Sequence, residues 1–380
     1  MLKNVMIVAG EASGDLHASN LIRAVHEISP DISFYGVCGK MMREAGAETL
    51  VESSSLSVVG IAEIIPSAGQ ILGTLRLLKR KLKEDRPSLL VLIDFPDFNL
   101  MLAAYAKKIG IPVLYYISPQ VWAWRKGRAK KIARLVDRMA VAFPFETDLY
   151  KRHGLSADFV GHPLIDAVKV DRDKYVIRIE LGIDEGKKVI GLMPGSRSKE
   201  INALLPPMLE SAEIMASRSP EFEFILPLAH TVDRMLVDHY LSLYNVNVKV
   251  VEGMTYEVMH ISDMAFIASG TATLEAAIIG TPMVVLYKAS SLTYMIGRYL
   301  VLTNISWFSL PNIVAEREVV HELLQDEVNA GRMVEEAFAI LFGKGVSETM
   351  KKDLNEVRER LGGGGASKRA ANLLVEMVDI

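Results

Sequence analysis

Two carboxylates follow one of the buried strands predicted in the first half of the chain. Asp94 and Asp97 come directly after the apolar run 89–93. Open α/β sheets build ligand sites at the carboxyl ends of parallel strands, and a carboxylate there can act as a general base. Asp97 is interpreted as a cap of the following helix. Pro96 favours an extended Phe95, which argues against a helix that starts at Asp94, so Asp94 is the candidate base.

Two turns in the second half of the chain combine small residues with the predicted start of a helix. They read Pro194-Gly195-Ser196-Arg197 and Ala268-Ser269-Gly270-Thr271. Backbone N–H groups and the positive end of a helix dipole bind phosphate, and arginine can add a bidentate contact. Either turn alone is also compatible with an ordinary helix start. Because both follow strands of one predicted domain, they favour a nucleotide site, in which Glu275 could accept the two ribose hydroxyls.

The first predicted strand ends in the turn Gly10-Glu11-Ala12-Ser13-Gly14-Asp15. Its glycines allow a tight passage from strand to helix. The turn lacks the Gly-x-Gly-x-x-Gly pattern of dinucleotide-binding proteins, and Glu11 and Asp15 would repel a pyrophosphate. Two interpretations stay open, a turn capped by Ser13 or Asp15 and a turn that contacts substrate.

The elements that position these motifs alternate between short β-branched runs and longer helical segments. This alternation predicts an α/β fold with two doubly wound, Rossmann-like domains. A length of 380 residues also favours two domains, and 50% hydrophobic with 23% charged residues indicates a globular chain. The predicted strands are 5–9, 32–37, 89–93, 112–117 and 138–142 in the first series, and 189–193, 222–226, 248–251, 264–267 and 283–286 in the second.

A charged stretch at 168–188 separates the two series of strands and predicts the linker. We therefore expect domains at 1–168 and 169–345 and a helical tail at 346–380. Four consecutive glycines at 362–365 make a flexible joint before the last helix. That helix could pack on the first domain, on the second, or on a neighbouring subunit.

Composition excludes several classes of protein. One cysteine, Cys38, cannot form an internal disulfide and fits a reducing compartment. A net charge of −3 gives no global attraction to nucleic acid, and no transmembrane helix is expected. The Asp171-Arg172-Asp173 triplet lies in the predicted linker and is interpreted as a solvated turn, and the eight histidines show no metal-binding spacing. We expect neither a metal nor a cofactor.

The segment 71–83 has the period of an amphipathic helix. Ile71, Leu75, Leu78 and Leu82 share one face, and Arg76, Lys79, Arg80 and Lys83 lie elsewhere. Such a stripe is compatible with core packing beneath a solvated basic face. It is also compatible with a helix in a membrane interface, with its cations at anionic headgroups.

Six motifs in one order resemble the lipid-A-disaccharide synthase family, from about residue 6 to about residue 325. They are Gly10-Glu11-Ala12-Ser13-Gly14-Asp15, Ile93-Asp94-Phe95-Pro96-Asp97-Phe98-Asn99, Ser118-Pro119-Gln120-Val121-Trp122-Ala123-Trp124-Arg125, Pro194-Gly195-Ser196-Arg197, Ala268-Ser269-Gly270-Thr271-Ala272 and Ser309-Leu310-Pro311-Asn312. The resemblance implies a GT-B glycosyltransferase whose two domains face a cleft. It implies an inverting, metal-independent transfer of 2,3-diacylglucosamine from UDP-2,3-diacylglucosamine to 2,3-diacylglucosamine 1-phosphate, giving the β(1→6) disaccharide and UDP.

The resemblance also implies roles for particular residues. Asp94 is the expected general base, with Glu11 as a second catalytic position. The expected UDP-sugar contacts are Gly195, Ser196, Arg197, Ser269, Gly270, Thr271, Glu275 and Asn312. Since both sugars carry acyl chains, the resemblance implies a cytoplasmic protein bound peripherally to the anionic inner face of the membrane. The sequence does not decide the oligomeric state, for which a homodimer is one candidate.

Two other functions compete with the transferase. A UDP-sugar epimerase of the same architecture would bind nucleotide similarly but would need no second sugar. A non-catalytic lipid or nucleotide-sugar binding protein would bind UDP and form no product. Fold alone cannot choose among them, and the motif set favours the transferase.

Overall fold

The structure, a computed structural model, describes residues 3–10, 12–55, 64–119, 127–288 and 307–379, without the side chains of residues 12, 55 and 64–68. The chain forms two compact units. The first comprises Met1–Pro163 with Leu361–Ile380, and the second comprises Leu164–Arg360. The chain thus passes between the units twice, and residues 346–360 of the expected tail belong to the second unit.

A seven-stranded parallel sheet forms the centre of the first unit, in the order β3-β2-β1-β4-β5-β6-β7. Its strands are β1 (Lys3–Ala9), β2 (Ile32–Cys38), β3 (Glu48–Glu52), β4 (Leu89–Ile93), β5 (Val113–Tyr116), β6 (Arg138–Val141) and β7 (Ser156–Phe159). The five predicted strands of this half are confirmed. The sequence missed β3 and β7, which are short, only partly buried and at the two edges of the sheet.

Helices cover both faces of this sheet because its strands are apolar on both sides. The described helices are α1 (Ala12–Ile28), α2 (Lys40–Glu44), α3 (Ile64–Asp85), α4 (Pro96–Lys108), α5 (Gly127–Leu135) and α6 (Pro144–Lys151). Met6 and Leu92 face a core shared with α3, α4 and α5. Ile7 and Val91 face the opposite core, formed with α1 and the last helix of the chain. Leu75, Leu78 and Leu82 are buried, so the apolar stripe of α3 is a core face.

A six-stranded parallel sheet forms the centre of the second unit, in the order β10-β9-β8-β11-β12-β13. Its strands are β8 (Lys188–Met193), β9 (Phe222–Leu228), β10 (Val248–Glu252), β11 (Met264–Ala268), β12 (Met283–Tyr287) and β13 (His321–Leu324). The second predicted series is confirmed, and the edge strand β13 was missed. The two sheets confirm the prediction of two Rossmann-like α/β folds.

The helices of the second unit flank its sheet. They are α7 (Leu164–Ala167), α8 (Lys174–Glu180), α9 (Ser198–Arg218), α10 (Arg234–Leu241), α11 (Thr255–Ile261), α12 (Thr271–Ile279), α13 (Leu310–Ala315), α14 (Ala330–Phe342) and α15 (Val346–Arg360). Single 3₁₀ turns occur at Ser53–Ser55 in the first unit and at Gln325–Glu327 in the second. In the predicted linker, Asp173 caps α8 by accepting the Tyr175 N–H at 2.8 Å.

The last helix, α16 (Ala366–Val378), packs on the first unit, one of the three positions that the sequence allows. Its residues Ala370, Ala371 and Leu374 are fully buried and belong to the core that α1 shares with the first sheet. The Arg369 guanidinium donates to the carbonyl of Val160 at 2.8 Å. The C-terminal helix is therefore part of the first unit.

Candidate active site

Asp94 follows the fully buried strand β4, in a loop with unusual backbone geometry. Asp94 and Phe95 both have left-handed conformations, with φ of 49° and 47°. Such values are costly for residues other than glycine and are found where surrounding contacts impose them. Here the Asp94 carbonyl accepts hydrogen bonds from Tyr115 Oη at 2.7 Å and from Asn99 Nδ2 at 2.5 Å. Two buried side chains thus hold the candidate base in place.

Two local expectations for this loop are wrong. Phe95 is left-handed and not extended, because the contacts to the Asp94 carbonyl override the preference that Pro96 imposes. Asp97 does not cap the helix, since Phe95 occupies the N-cap position of α4. The Asp97 carboxylate is exposed and pairs with Arg128 of α5.

The Asp94 carboxyl is half-buried. Burial raises its pKa above the ordinary value of 3.8, while the Phe95 N–H, 2.9 Å from Oδ1, opposes that rise. A carboxylate that gains affinity for a proton through desolvation is a better general base at neutral pH. The geometry and the charge of this position fit the predicted role.

The turn after β1 lies against the Asp94 loop. A Cβ atom on Gly10 would lie 2.5 Å from Phe95 Cγ, so glycine is required for this close approach. Glu11, the second predicted catalytic residue, lies outside the described residues, as does the segment 120–126 with its two tryptophans.

Asp15 neither caps the helix α1 that follows the first turn nor offers a free carboxylate to a substrate. Its carboxylate is buried and accepts the N–H groups of Gly39, Met41 and Met42 at 3.0, 2.9 and 3.1 Å. It therefore caps α2, a helix more than twenty residues further along the chain.

The two candidate phosphate turns emerge side by side in the second unit. They follow β8 and β11, which are adjacent strands with Met193 paired to Ile267. Both turns therefore lie at the carboxyl edge of the sheet, and the helices α9 and α12 begin there. The sequence predicts that both turns follow strands of one domain, and the structure shows that these two strands are neighbours.

The first of these turns already holds an anion from its own chain. Glu200 Oε2 accepts the N–H groups of Ser196 at 2.9 Å and Arg197 at 3.3 Å. Glu200 Oε1 accepts from Arg197 Nη1 at 2.9 Å. The sequence predicts donors that are free for a ligand, whereas in the structure Glu200 accepts hydrogen bonds from them.

The second turn is tied to neighbouring segments. Gly270 is the N-cap of α12 and Thr271 its exposed first residue. The Ser269 N–H donates to the Leu286 carbonyl at 2.8 Å, and its hydroxyl to the Phe308 carbonyl at 3.4 Å. These bonds fix the turn between β12 and Phe308.

Glu275 lies one turn into α12. Burial raises the pKa of its carboxyl, and Tyr256 Oη donates a hydrogen bond to Oε1 at 3.1 Å. Tyr256, which the sequence did not single out, orients this carboxylate. The second carboxylate oxygen remains a suitable acceptor for a ligand hydroxyl.

Asn312 is fully buried and uses its amide within the chain. Its Nδ2 donates to the Val320 carbonyl and to Glu322 Oε1, both at 2.8 Å, and its Oδ1 accepts the N–H groups of Val319 and Val320 at 2.7 and 3.0 Å. Glu322 also accepts the N–H groups of Phe308 and Ser309. This network holds residues 308–309 next to Ser269. The role of Glu322 could not be predicted from the sequence, because Glu322 lies on the edge strand β13, which the sequence did not predict.

Within the described residues, no group of three or more histidine, cysteine, aspartate or glutamate side chains could hold a metal ion. Over the same part of the chain, no helix combines the length and the apolar character that crossing a membrane requires.

Comparison with known families gives a match over nearly the whole chain. Residues 5–377 match the family model described as lipid-A-disaccharide synthetase. The chain is 46% identical over 376 residues to the lipid-A-disaccharide synthase of Geobacter metallireducens, which covers 99% of this chain and 97% of that protein. It is 44% identical over 375 residues to the synthase of Nitrosococcus oceani, with 99% and 96% covered.

Solved structures resemble the fold at much lower identity. The S. aureus MnaA–UDP co-structure has a TM-score of 0.68 at 13% identity, covering 99% of this chain and 97% of that one. The UDP-GlcNAc 2-epimerase of Neisseria meningitidis bound to UDP-GlcNAc has a TM-score of 0.65 at 15% identity, with 98% and 100% covered. The glycotransferase of kitacinnamycin has a TM-score of 0.62 at 17% identity, with 100% of both chains covered. Epimerases and a transferase thus share this architecture, so the fold alone does not identify the reaction.

Proposed function

This chain belongs to the lipid-A-disaccharide synthetase family, and from that membership we infer that it is a glycosyltransferase of lipid A biosynthesis. It transfers 2,3-diacylglucosamine from UDP to the 6-hydroxyl of 2,3-diacylglucosamine 1-phosphate. The products are the β(1→6) disaccharide 1-phosphate and UDP. The observation that carries this conclusion is the 46% identity to a synthase over 99% of the chain.

The first unit supplies the base in our proposal. Inversion takes place in one displacement, in which a carboxylate removes the acceptor proton while UDP leaves from the opposite face of the sugar. Asp94 takes that proton, because it is held at the end of β4 and burial raises the pKa of its carboxyl. The acceptor sugar therefore binds at the carboxyl edge of the first sheet.

The second unit holds the donor nucleotide in our proposal. The Gly195–Arg197 turn and the Ser269–Thr271 turn bind the diphosphate and stabilise the negative charge that grows on it as the bond to the sugar breaks. Glu275 accepts ribose hydroxyls, and Asn312 contributes by holding residues 308–309 beside Ser269. Arg197 and the backbone N–H donors then stabilise the negative charge of the leaving diphosphate, which a divalent ion stabilises in metal-dependent transferases.

A product assay distinguishes this function from its competitors. The protein is mixed with the UDP-sugar and the 1-phosphate acceptor in excess EDTA, and the products are identified by mass spectrometry. We expect UDP and a disaccharide 1-phosphate. An epimerase would alter the UDP-sugar without the acceptor, and a binding protein would form no product. Activity that EDTA abolishes and magnesium or manganese restores would contradict the metal-independent mechanism.

A basic surface on the first unit supports peripheral binding to an anionic membrane. Helices α3, α4 and α5 pack on the same face of the sheet and carry eleven lysines and arginines against three acidic residues. The whole chain, by contrast, has a net charge of −3. Leu72 and Met101, 46% and 43% exposed on α3 and α4, add apolar surface. We propose that these helices face the inner membrane leaflet from the cytoplasm.

Liposome co-sedimentation tests this surface. The variant with Arg76, Lys79, Arg80 and Lys83 changed to glutamine should lose binding to anionic vesicles, and salt should weaken binding of the parent, because screening acts beyond about 8 Å at 0.15 M. A matched control changes Lys344, Lys351, Lys352 and Arg358 of the second unit, which are all exposed. Equal binding of both variants would show that α3 is not the contact.

A further inference from the structure

The Glu200 carboxylate sits where the proposed function places a phosphate. It accepts two backbone N–H groups at the start of α9 and the guanidinium of Arg197. These are the donors that a helix N-terminus and an arginine offer to a bound phosphate. The turn is therefore occupied by an anion of its own chain.

Gly195 makes this occupation possible. Its φ of 113° lies in a region that side chains rarely adopt. A Cβ atom there would lie 2.2 Å from Glu200 Oε2 and 2.8 Å from Glu200 Cβ. Any residue with a side chain would push Glu200 out of the turn, so the glycine serves the intramolecular contact as well as the bend of the backbone.

We propose that Glu200 is an intramolecular competitor for the diphosphate site, which the phosphates of the donor must displace. The inference rests on the proposed function of the Gly195–Arg197 turn. A carboxylate and a phosphate cannot share the same donors, since two anions at hydrogen-bonding distance repel each other. Glu200 thereby lowers the affinity for UDP and favours release of that product.

The exposure of the pair makes displacement feasible. The side chains of Arg197 and Glu200 are 67% and 30% exposed. Exposed ion pairs contribute little free energy because water screens them. A diphosphate offers more charge and more acceptor oxygens than one carboxylate, so it can replace Glu200 while the displaced carboxylate is solvated.

Binding of UDP and of uridine to Glu200→Gln and the parent, measured by calorimetry, tests the proposal. Glutamine keeps the size and a neutral acceptor but removes the competing charge. We expect UDP to bind about 1.5- to fivefold more tightly, the range that an exposed ion pair allows. Uridine, which has no phosphate, should bind equally to both proteins. Partial unfolding cannot imitate this result, because it would weaken binding of both ligands.

The control Glu210→Gln makes the same change of charge on the exposed surface of α9, about 15 Å along the helix, and should leave UDP affinity unaltered. Unchanged or weaker UDP binding by Glu200→Gln would overturn the proposal, and weaker binding would make Glu200 a positioning residue for Arg197. Arg197→Ala separates this failure from that of the diphosphate turn itself. If it binds UDP as well as the parent does, the turn is not the phosphate site.

Discussion

Among single residues, Asp94 is the one whose burial should make it a better base and at the same time lower the free energy of unfolding at neutral pH. Burial raises the pKa of its carboxyl, so the folded protein binds this proton more tightly than the unfolded chain does. Above the folded pKa the charged form therefore lowers the free energy of unfolding. This cost vanishes as the pH falls below the ordinary value of 3.8.

The variant Asp94→Asn tests both consequences. Turnover should fall by about 10²- to 10⁴-fold, the usual contribution of a general base, while UDP affinity stays at the parental level. The variant should melt at a higher temperature than the parent at pH 7, and the difference should shrink as the pH is lowered. Near-parental turnover would show that Asp94 is not the general base. Thermal melts of both proteins between pH 7 and pH 3 measure the effect on stability.

Glu275 is predicted to recognise the ribose, held for this purpose by Tyr256. Glu275→Gln should weaken UDP binding about tenfold or more, since a charge-assisted hydrogen bond contributes roughly 1.5 to 3 kcal/mol. Binding of 2′,3′-dideoxy-UDP should not change. Tyr256→Phe, which keeps the carboxylate, should have a smaller effect. An equal loss for both nucleotides with Glu275→Gln would mean that Glu275 does not contact the sugar hydroxyls.

At the scale of the element, the turn after β1 and the loop after β4 are fitted to each other. Gly10 contacts the Phe95 side chain so closely that no other residue fits without a shift of the Asp94 loop. Both loops begin at the carboxyl ends of neighbouring strands, β1 and β4, which explains why their backbones meet. The position of the base thus depends on a residue 84 positions away along the chain.

Gly10→Ala should reduce turnover by about 10- to 100-fold and leave UDP affinity unchanged, because small displacements of a catalytic group are costly. Gly14→Ala is the matched control. Its Cβ would lie 3.4 Å from Ala9 Cβ, an ordinary contact, and alanine favours the helix α1. Steady-state kinetics of both variants measure the difference. Parental activity of Gly10→Ala would show that the Asp94 loop tolerates the shift.

At the scale of the whole molecule, the chain ends by completing the core of its first unit. Helix α16 buries Ala370, Ala371 and Leu374 against α1, although more than 330 residues separate the two helices along the chain. We therefore expect that folding of the first unit depends on helix α16.

Truncation after Gly365 should prevent stable folding, because it exposes this part of the core. The single variant Leu374→Ala should lower the free energy of unfolding by about 2 to 5 kcal/mol, as large-to-small changes in cores do. Denaturant unfolding of the variant and soluble yield of the truncated chain measure the two effects. A truncated protein that unfolds like the parent would show that α16 is dispensable.

The order of residues along the chain was enough to predict the βα alternation, ten strands, and the placement of Asp94 and of both candidate phosphate turns at strand ends. These features depend on short apolar runs and on the residues that follow them, and local patterns carry such information. The ribose and phosphate roles remain predictions.

Which side chains and backbone groups contact each other could not be predicted without the folded structure. The left-handed Phe95, the capping of α2 by Asp15, and the hydrogen bond from Arg369 to the Val160 carbonyl all depend on distant partners. The last of these spans 209 positions. Edge strands such as β3 were not predicted, because they are only partly buried and their sequences therefore lack a continuous apolar run. Glu200 was near in sequence, yet only the backbone geometry at Gly195 brings its carboxylate into the turn, since a side chain at that position would exclude it.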